Sequence, residues 1–423
     1  MFSYRQVRRG LAALALMWAA GAASGTEITI ACGSVGTDIE VCRKLMDEWS
    51  AKTGNKVRIF LTPNSTTDQL ALYRQQFGAH SGEVDVLMVD IVWPGIIKEH
   101  LLDLTPYAQG VQRQHFAAII ANNTVGGKLL AMPWFTDAGL LFYRKDLLEK
   151  YHEKVPATWE ELAATAQRIQ DAERRAGKRD LYGYVFEGKA YEGLSCNALE
   201  WIASYGGGTV VEPDGRISID NARAAQALDM AARWPGTIAP KNVVSFAEEE
   251  ARSVFQGGNA VFMRNWSYVW DLAQQGDSKI KGAVGMAALP RGEGGKSVST
   301  LGGWQLAVSK YSKHPAEAAD LVMFLTSKEM QKKRALLAGS LPTYPALYSD
   351  QQLLRAAPYM AQLSTAFASA TARPSTVTAD KYNAVSSALW NAAQATLAGR
   401  ASGAQSVHQL EKELRRVRRG AAW

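Results

Sequence analysis

From Glu27 onward short apolar segments alternate with longer amphipathic ones, and this alternation confines the chain to an α/β fold with a largely parallel sheet. Glu27–Ala31 alternates as a strand. The loop Cys32-Gly33-Ser34-Val35-Gly36-Thr37 then opens a helix in which Ile39, Cys42, Leu45, Met46 and Trp49 recur at helical spacing until Gly54 ends it. Val57–Leu61 is the next strand, and a further helix starts near Thr67. Val84–Val89, set between Gly82 and Pro94, is apolar enough for a strand covered on both faces. Lys128–Met132 and Gly139–Tyr143 read as short strands flanking a loop, Pro133-Trp134-Phe135-Thr136-Asp137.

The texture then turns helical. Thr158 and Glu161 form a capping box ahead of a long amphipathic stretch. Leu194–Tyr205 is a helix ended by Gly206-Gly207-Gly208, and Val210-Val211 pairs with Ile217-Ser218-Ile219 as a hairpin. Ala260–Arg264, Gly282–Ala287 and Gln305–Val308 return to strand, and the helices Pro315–Leu325, Lys328–Leu337, Tyr382–Leu397 and Gln405–Arg418 close the chain. At 423 residues there is material for two large units. With strands on both sides of the helical stretch, the chain is expected to cross between such units more than once.

The first 25 residues read as an export signal: Arg5, Arg8 and Arg9, an apolar run too short to span a bilayer, then Ala22-Ala23-Ser24-Gly25. Cleavage is expected near Gly25, which places the mature protein in the periplasm. Removing those three arginines from 47 Lys and Arg leaves 44 against 40 acids, so the net charge of +7 falls to +4. Lys412, Arg415, Arg416, Arg418 and Arg419 gather on the last helix, where the helix dipole favours them. The remainder is nearly neutral, which excludes the basic stripe of a nucleic-acid groove. In an exported chain Cys32 and Cys42 either form a local disulfide or both stay as thiols, and Cys196 is left as a buried thiol. The six histidines are scattered, so no metal is expected, and no cofactor motif is present.

Hydrolase and nucleotide motifs fail. Gly193-Leu194-Ser195-Cys196-Asn197 lacks the last glycine of a nucleophile elbow and lies in a helical pattern. Gly292-Glu293-Gly294-Gly295-Lys296-Ser297 has Pro290 where a phosphate loop needs its first glycine. What recurs instead, at predicted strand ends, is a carboxylate or arginine near an aromatic ring. Asp90 precedes Trp93, Asp137 follows Trp134 and Phe135, and Trp266 leads Tyr268 and Trp270; Trp304 follows Gly303, and Arg373 sits before a proline. In open α/β sheets ligands gather outside the carboxyl ends of strands. A pyranose offers an apolar C–H face and a rim of hydroxyls. Indole rings cover the first, and ionised groups bond the second at roughly 1.5–3 kcal/mol each. Of the twelve tryptophans, Trp93, Trp134, Trp266, Trp270 and Trp304 are accordingly expected on cleft-facing loops.

Four segments carry a family resemblance: Leu87-Met88-Val89-Asp90-Ile91-Val92-Trp93, Pro133-Trp134-Phe135-Thr136-Asp137-Ala138-Gly139, Phe262-Met263-Arg264-Asn265-Trp266-Ser267-Tyr268 and Leu301-Gly302-Gly303-Trp304. Together, in this order, they resemble the extracellular solute-binding proteins of ABC sugar importers, most closely the trehalose/maltose-binding branch. The resemblance implies the type II periplasmic-binding-protein fold, with two lobes, each a mostly parallel sheet flanked by helices, and three hinge crossings. The lobes are then 26–136 with 286–325 and 137–285 with 326–423. It also implies a receptor, not an enzyme, that binds an α-linked glucose disaccharide (trehalose first, then maltose or sucrose) as a monomer and passes it to a membrane permease. Carried over by motif, Asp90 and Asp137 take hydroxyls, Trp266 and Trp304 stack on the rings, Gly303 offers backbone, and Arg373 clamps from the far lobe. Phe135 stands where relatives often have Tyr, and Tyr268 and Glu192 are further contacts. In the first loop an acid is often expected, and Ser34, Thr37, Asp38 and Glu40 are all open to that role. Alternatives are a receptor for a maltodextrin, a polyol or a glycerol phosphate ester, or an exported glycoside hydrolase using Asp90 and Asp137.

Overall fold

Strands reached through a helix lie side by side in parallel, as short crossover connections require. The computed structural model describes residues 25–33, 35–276, 278–357, 359, 360, 370–420 and 423, so the expected export signal, save Gly25, and Ser34 lie outside the described residues. Strand β1 (Glu27–Ile30) pairs in parallel with β2 (Lys56–Ile59) and β3 (Val86–Asp90), through the helices Asp38–Thr53 and Thr66–Gly78. Two short strands, β4 (Thr124–Val125) and β5 (Lys128–Leu129), make a hairpin of their own. Then β6 (Met132–Ala138) and β7 (Leu140–Arg144) follow with only Gly139 between them, yet they belong to different sheets.

The first sheet runs β12 (Ala370–Thr371), β11 (Ser299–Val308), β3, β1, β2, with β6 also paired to β11. The second runs β10 (Val284–Ala287), β7, β9 (Ala260–Asn265), β8 (Tyr182–Val185). Both are mixed rather than mostly parallel: β11 is antiparallel to β3 and β6, and β7 to β9 and β10. The cause is the crossing itself. A strand arriving from the other lobe enters at the cleft end of its sheet, whereas a strand arriving from a helix enters at the far end.

Val86 and Met88 point into one core of the first lobe with Ile28, Ile30 and Leu306; Leu87 and Val89 point into the core on the opposite face. This is the period-two alternation of a strand covered on both sides. The second lobe has one large core, to which the helices Tyr382–Leu397 and Gly403–Arg418 contribute. Helix Lys328–Ala338 serves both, with Met330 and Ala338 in a first-lobe core and Ala335 in that of the second. Cys32 and Cys42 are joined in a disulfide, tying the first loop to the helix it opens.

Candidate functional site

The segment Pro133–Asp137 is strand, not loop, and this changes how the site is built. Its ladder to β11 shifts register between Trp304 and Gln305, and Pro133 sits at that shift, where its missing N–H is tolerated. Gly302-Gly303 is likewise inside a strand. Gly303 has φ +124°, and a Cβ there would lie 2.6 Å from the Phe135 carbonyl oxygen, so only glycine allows β6 and β11 to approach this closely. Trp304 consequently stands opposite both Asp90 on β3 and Phe135 on β6.

Asp38, Asp90, Phe135, Asp137, Glu192, Trp266, Tyr268, Gly303, Trp304 and Arg373 line one cleft, of about 770 Å³ counted to its open mouth. Thr37 does not line it; the residue precedes the first turn of the helix and leaves Asp38 as the cleft's acid, while Glu40 is exposed. The structure adds Asn64, Thr66, Cys196, Glu248 and Ser340. Glu248 is hidden in the run Glu248-Glu249-Glu250, which has the pattern of an exposed helix start, whereas its half-buried carboxylate accepts from Tyr191 at 2.6 Å.

Three of the five expected tryptophans are elsewhere. Trp134 falls at the register shift, where strict alternation is broken, and is fully buried in the first-lobe core with its ring centroid 5.5 Å from that of Phe135. Trp93 packs edge-on against Trp304, with centroids 5.7 Å apart, and Trp270 packs on Tyr359.

Charges in the cleft are matched in a chain. Arg373 donates through Nη1 to Glu192 at 2.8 Å and through Nη2 to Asp90 at 3.1 Å. Glu192 also accepts from Ser386 at 2.6 Å and from Tyr382. Burial raises Asp90 above the usual carboxylate range, and Arg373 opposes that rise. Asp137 accepts Ala138 N–H at 2.8 Å and Ser267 N–H at 3.0 Å through one oxygen, and burial pushes its carboxyl up to about 6. Trp266 lies over the Arg264 guanidinium at 4.1 Å. Arg264 is itself fully buried between Glu187, at 3.1 Å, and Glu200, at 2.5 Å. Among the described residues, Asp220, His408 and Glu411 form the one cluster with metal-ligand types, outside the cleft lining, and His408 already faces Asp220 at 2.8 Å.

The lobes touch around the cleft, with the Glu192 N–H donating to Thr67 at 3.3 Å. A cleft between two sheets, lined by paired charges and two half-exposed indoles, is the geometry of a receptor that closes on a solute. Residues 37–332 match the family of bacterial extracellular solute-binding proteins. The chain belongs to that family. This solute-binding protein is 49% identical over 407 residues to a probable ABC transporter-binding protein of Deinococcus radiodurans, covering 96% of each chain. It is 37% identical to maltose-bound MalE3 of T. maritima, with a TM-score of 0.88 over 93% of this chain and 100% of that one. A solute-binding protein of Agrobacterium vitis with bound D-mannitol shares the fold, at 22% identity and a TM-score of 0.79 over 93% of this chain and 98% of that one.

Proposed function

We propose that this solute-binding protein captures an α-linked glucose disaccharide in the periplasm and presents it, lobes closed, to the permease of an ABC importer. One observation carries the reading. Trp304 and Trp266 come from different sheets to a single cleft whose charged lining is carboxylates and one arginine. Two indole faces suit two pyranose faces, and carboxylates suit hydroxyl donors. Trehalose, maltose and sucrose are the ligands to test, and the maltose found in the T. maritima relative supports the class. With the expected lobes, 26–136 with 286–325 and 137–285 with 326–423, each lobe has one stacking tryptophan, although β12 pairs within the first sheet and all of β10 within the second, across those bounds.

A micromolar complex corresponds to about −8 kcal/mol. A few charge-assisted hydrogen bonds and two stacked rings supply that after ordering costs. Calorimetry with trehalose, maltose, sucrose, maltotriose and mannitol tests the proposal. Micromolar binding of at least one disaccharide is expected, with no reducing sugar released on prolonged incubation. Heat from mannitol or maltotriose alone moves the ligand to a polyol or a maltodextrin.

A further inference from the structure

Arg334 is the one member of the basic run Lys332-Lys333-Arg334 that turns inward. Lys332 pairs with Asp350 at 2.8 Å and Lys333 with Glu48 at 2.6 Å, both partly exposed, whereas Arg334 is 1% exposed. Helical phase explains this, because Gln331, Arg334, Ala335 and Ala338 share the buried face of Lys328–Ala338. That face grips β6. Gln331 donates to the Pro133 carbonyl at 2.8 Å, and the Arg334 guanidinium lies 4.1 Å from the Trp134 ring centre and 4.5 Å from that of Phe135. Its Nη2 also pairs with Asp38.

Both Asp38 and Phe135 line the cleft, and Arg334 itself does not. Asp38 is hemmed in on the other side by Gly33, where a Cβ would fall 2.6 Å from its carboxylate oxygen. Nε and Nη1 of Arg334 have no hydrogen-bond partner among the described residues. A buried guanidinium with two unmatched donors is a poor device for stability alone. Arg264, which backs Trp266 in the other lobe, differs in having two carboxylate partners. Burial raises the Asp38 carboxyl and lowers the Arg334 guanidinium, and their pairing opposes both shifts.

We infer that Arg334 is a positioning residue: from behind the cleft wall it holds the first-loop carboxylate Asp38 and the Phe135 ring at the geometry in which they meet the sugar. This rests on the sugar-receptor reading. Its prediction is that affinity and stability separate on substitution.

The experiment measures affinity for trehalose, maltose and sucrose by calorimetry, and unliganded melting temperature, for the full chain and for Arg334→Met, Arg334→Lys, Asp38→Asn and the Arg334→Met/Asp38→Asn double variant. Arg334→Met should bind about tenfold more weakly or worse and, because it leaves the Asp38 carboxylate unpaired, should melt lower, whereas the double variant, which leaves no unpaired charge, should melt close to the parent while still binding weakly. Asp38→Asn should lose a similar factor, and the double variant should be no more than about threefold worse than either, because both changes release one contact. Losses that multiply, or an Arg334→Met protein that binds like the parent, overturn the inference. Should Arg334→Met not fold, Arg334→Lys decides. It keeps the charge beside Asp38 but not the planar group over the rings, so several-fold weaker binding supports positioning and parental affinity overturns it. A parent protein that binds none of the three sugars sinks the sugar reading, and this inference with it.

Discussion

Arg373 reaches Asp90 across 3.1 Å, joining the segment that follows β12 to the end of a strand laid down near the start of the chain. Its other terminal nitrogen holds Glu192, on a helix of the second lobe, at 2.8 Å. One guanidinium therefore neutralises two buried carboxylates that belong to different lobes. Arg373→Met leaves both unpaired. Breaking a buried pair from one side costs about 3–5 kcal/mol, so the urea midpoint should drop clearly and ligand affinity should fall with it. A midpoint equal to the parent's would mean that the bridge carries no net stability.

The indole of Trp304 is half-buried and backed by Trp93. Trp304→Ala removes one stacking face and should weaken disaccharide binding by about tenfold to a hundredfold, corresponding to about 1.4–3 kcal/mol. Calorimetry checks this, and unchanged affinity would exclude Trp304 from the site.

Binding should depend on pH through Asp137. Its carboxyl is raised by burial to about 6 in the folded chain, from an ordinary 3.8, with Arg264 and two backbone N–H groups acting against the rise. A carboxyl raised by folding adds stability that is fully present below pH 3.8 and is lost as pH rises through about 6. Sugar hydroxyls need the ionised acceptor, so affinity moves the other way. It should be about tenfold weaker at pH 5 than at pH 7.5, where the group is ionised. Asp137→Asn should bind weakly with a much flatter profile across this range. A parent profile equally flat would remove Asp137 as an ionised acceptor.

The Cys32–Cys42 disulfide spans ten positions and encloses Gly33. Closing so short a loop stabilises by about 3 kcal/mol in the chain-entropy view. Replacing both cysteines by serine should lower urea stability by roughly that amount and weaken ligand binding through a looser Asp38. Identical denaturation curves with and without reductant would show the bond to be dispensable.

Much of the site was legible because its signals are local. Asp90 closes an apolar strand, and Trp266 follows another; each is a strand end, and strand ends in α/β sheets meet at the cleft. Pro133–Asp137 reads as a loop for an equally local reason, since a segment with proline at its start and Thr136-Asp137 at its end has turn chemistry, and only the register shift in the ladder to β11 makes it sheet. Trp93, Trp134 and Trp270 read as cleft residues because an aromatic residue near a carboxylate has the same local pattern wherever its ring packs.

The sequence by itself determined the α/β class, the helix and strand order, and the residue types able to hold a sugar, because periodicity and strand-end chemistry are short-range properties. Tertiary structure decided which strands run antiparallel, since that depends on where a crossing chain enters its sheet. It also decided the long-range charge partners. Asp38 with Arg334, and Asp90 and Glu192 with Arg373, lie hundreds of residues or an entire lobe apart. In the sequence Arg334 is one basic residue in an exposed-looking run; burial against β6 makes it part of the cleft wall's support.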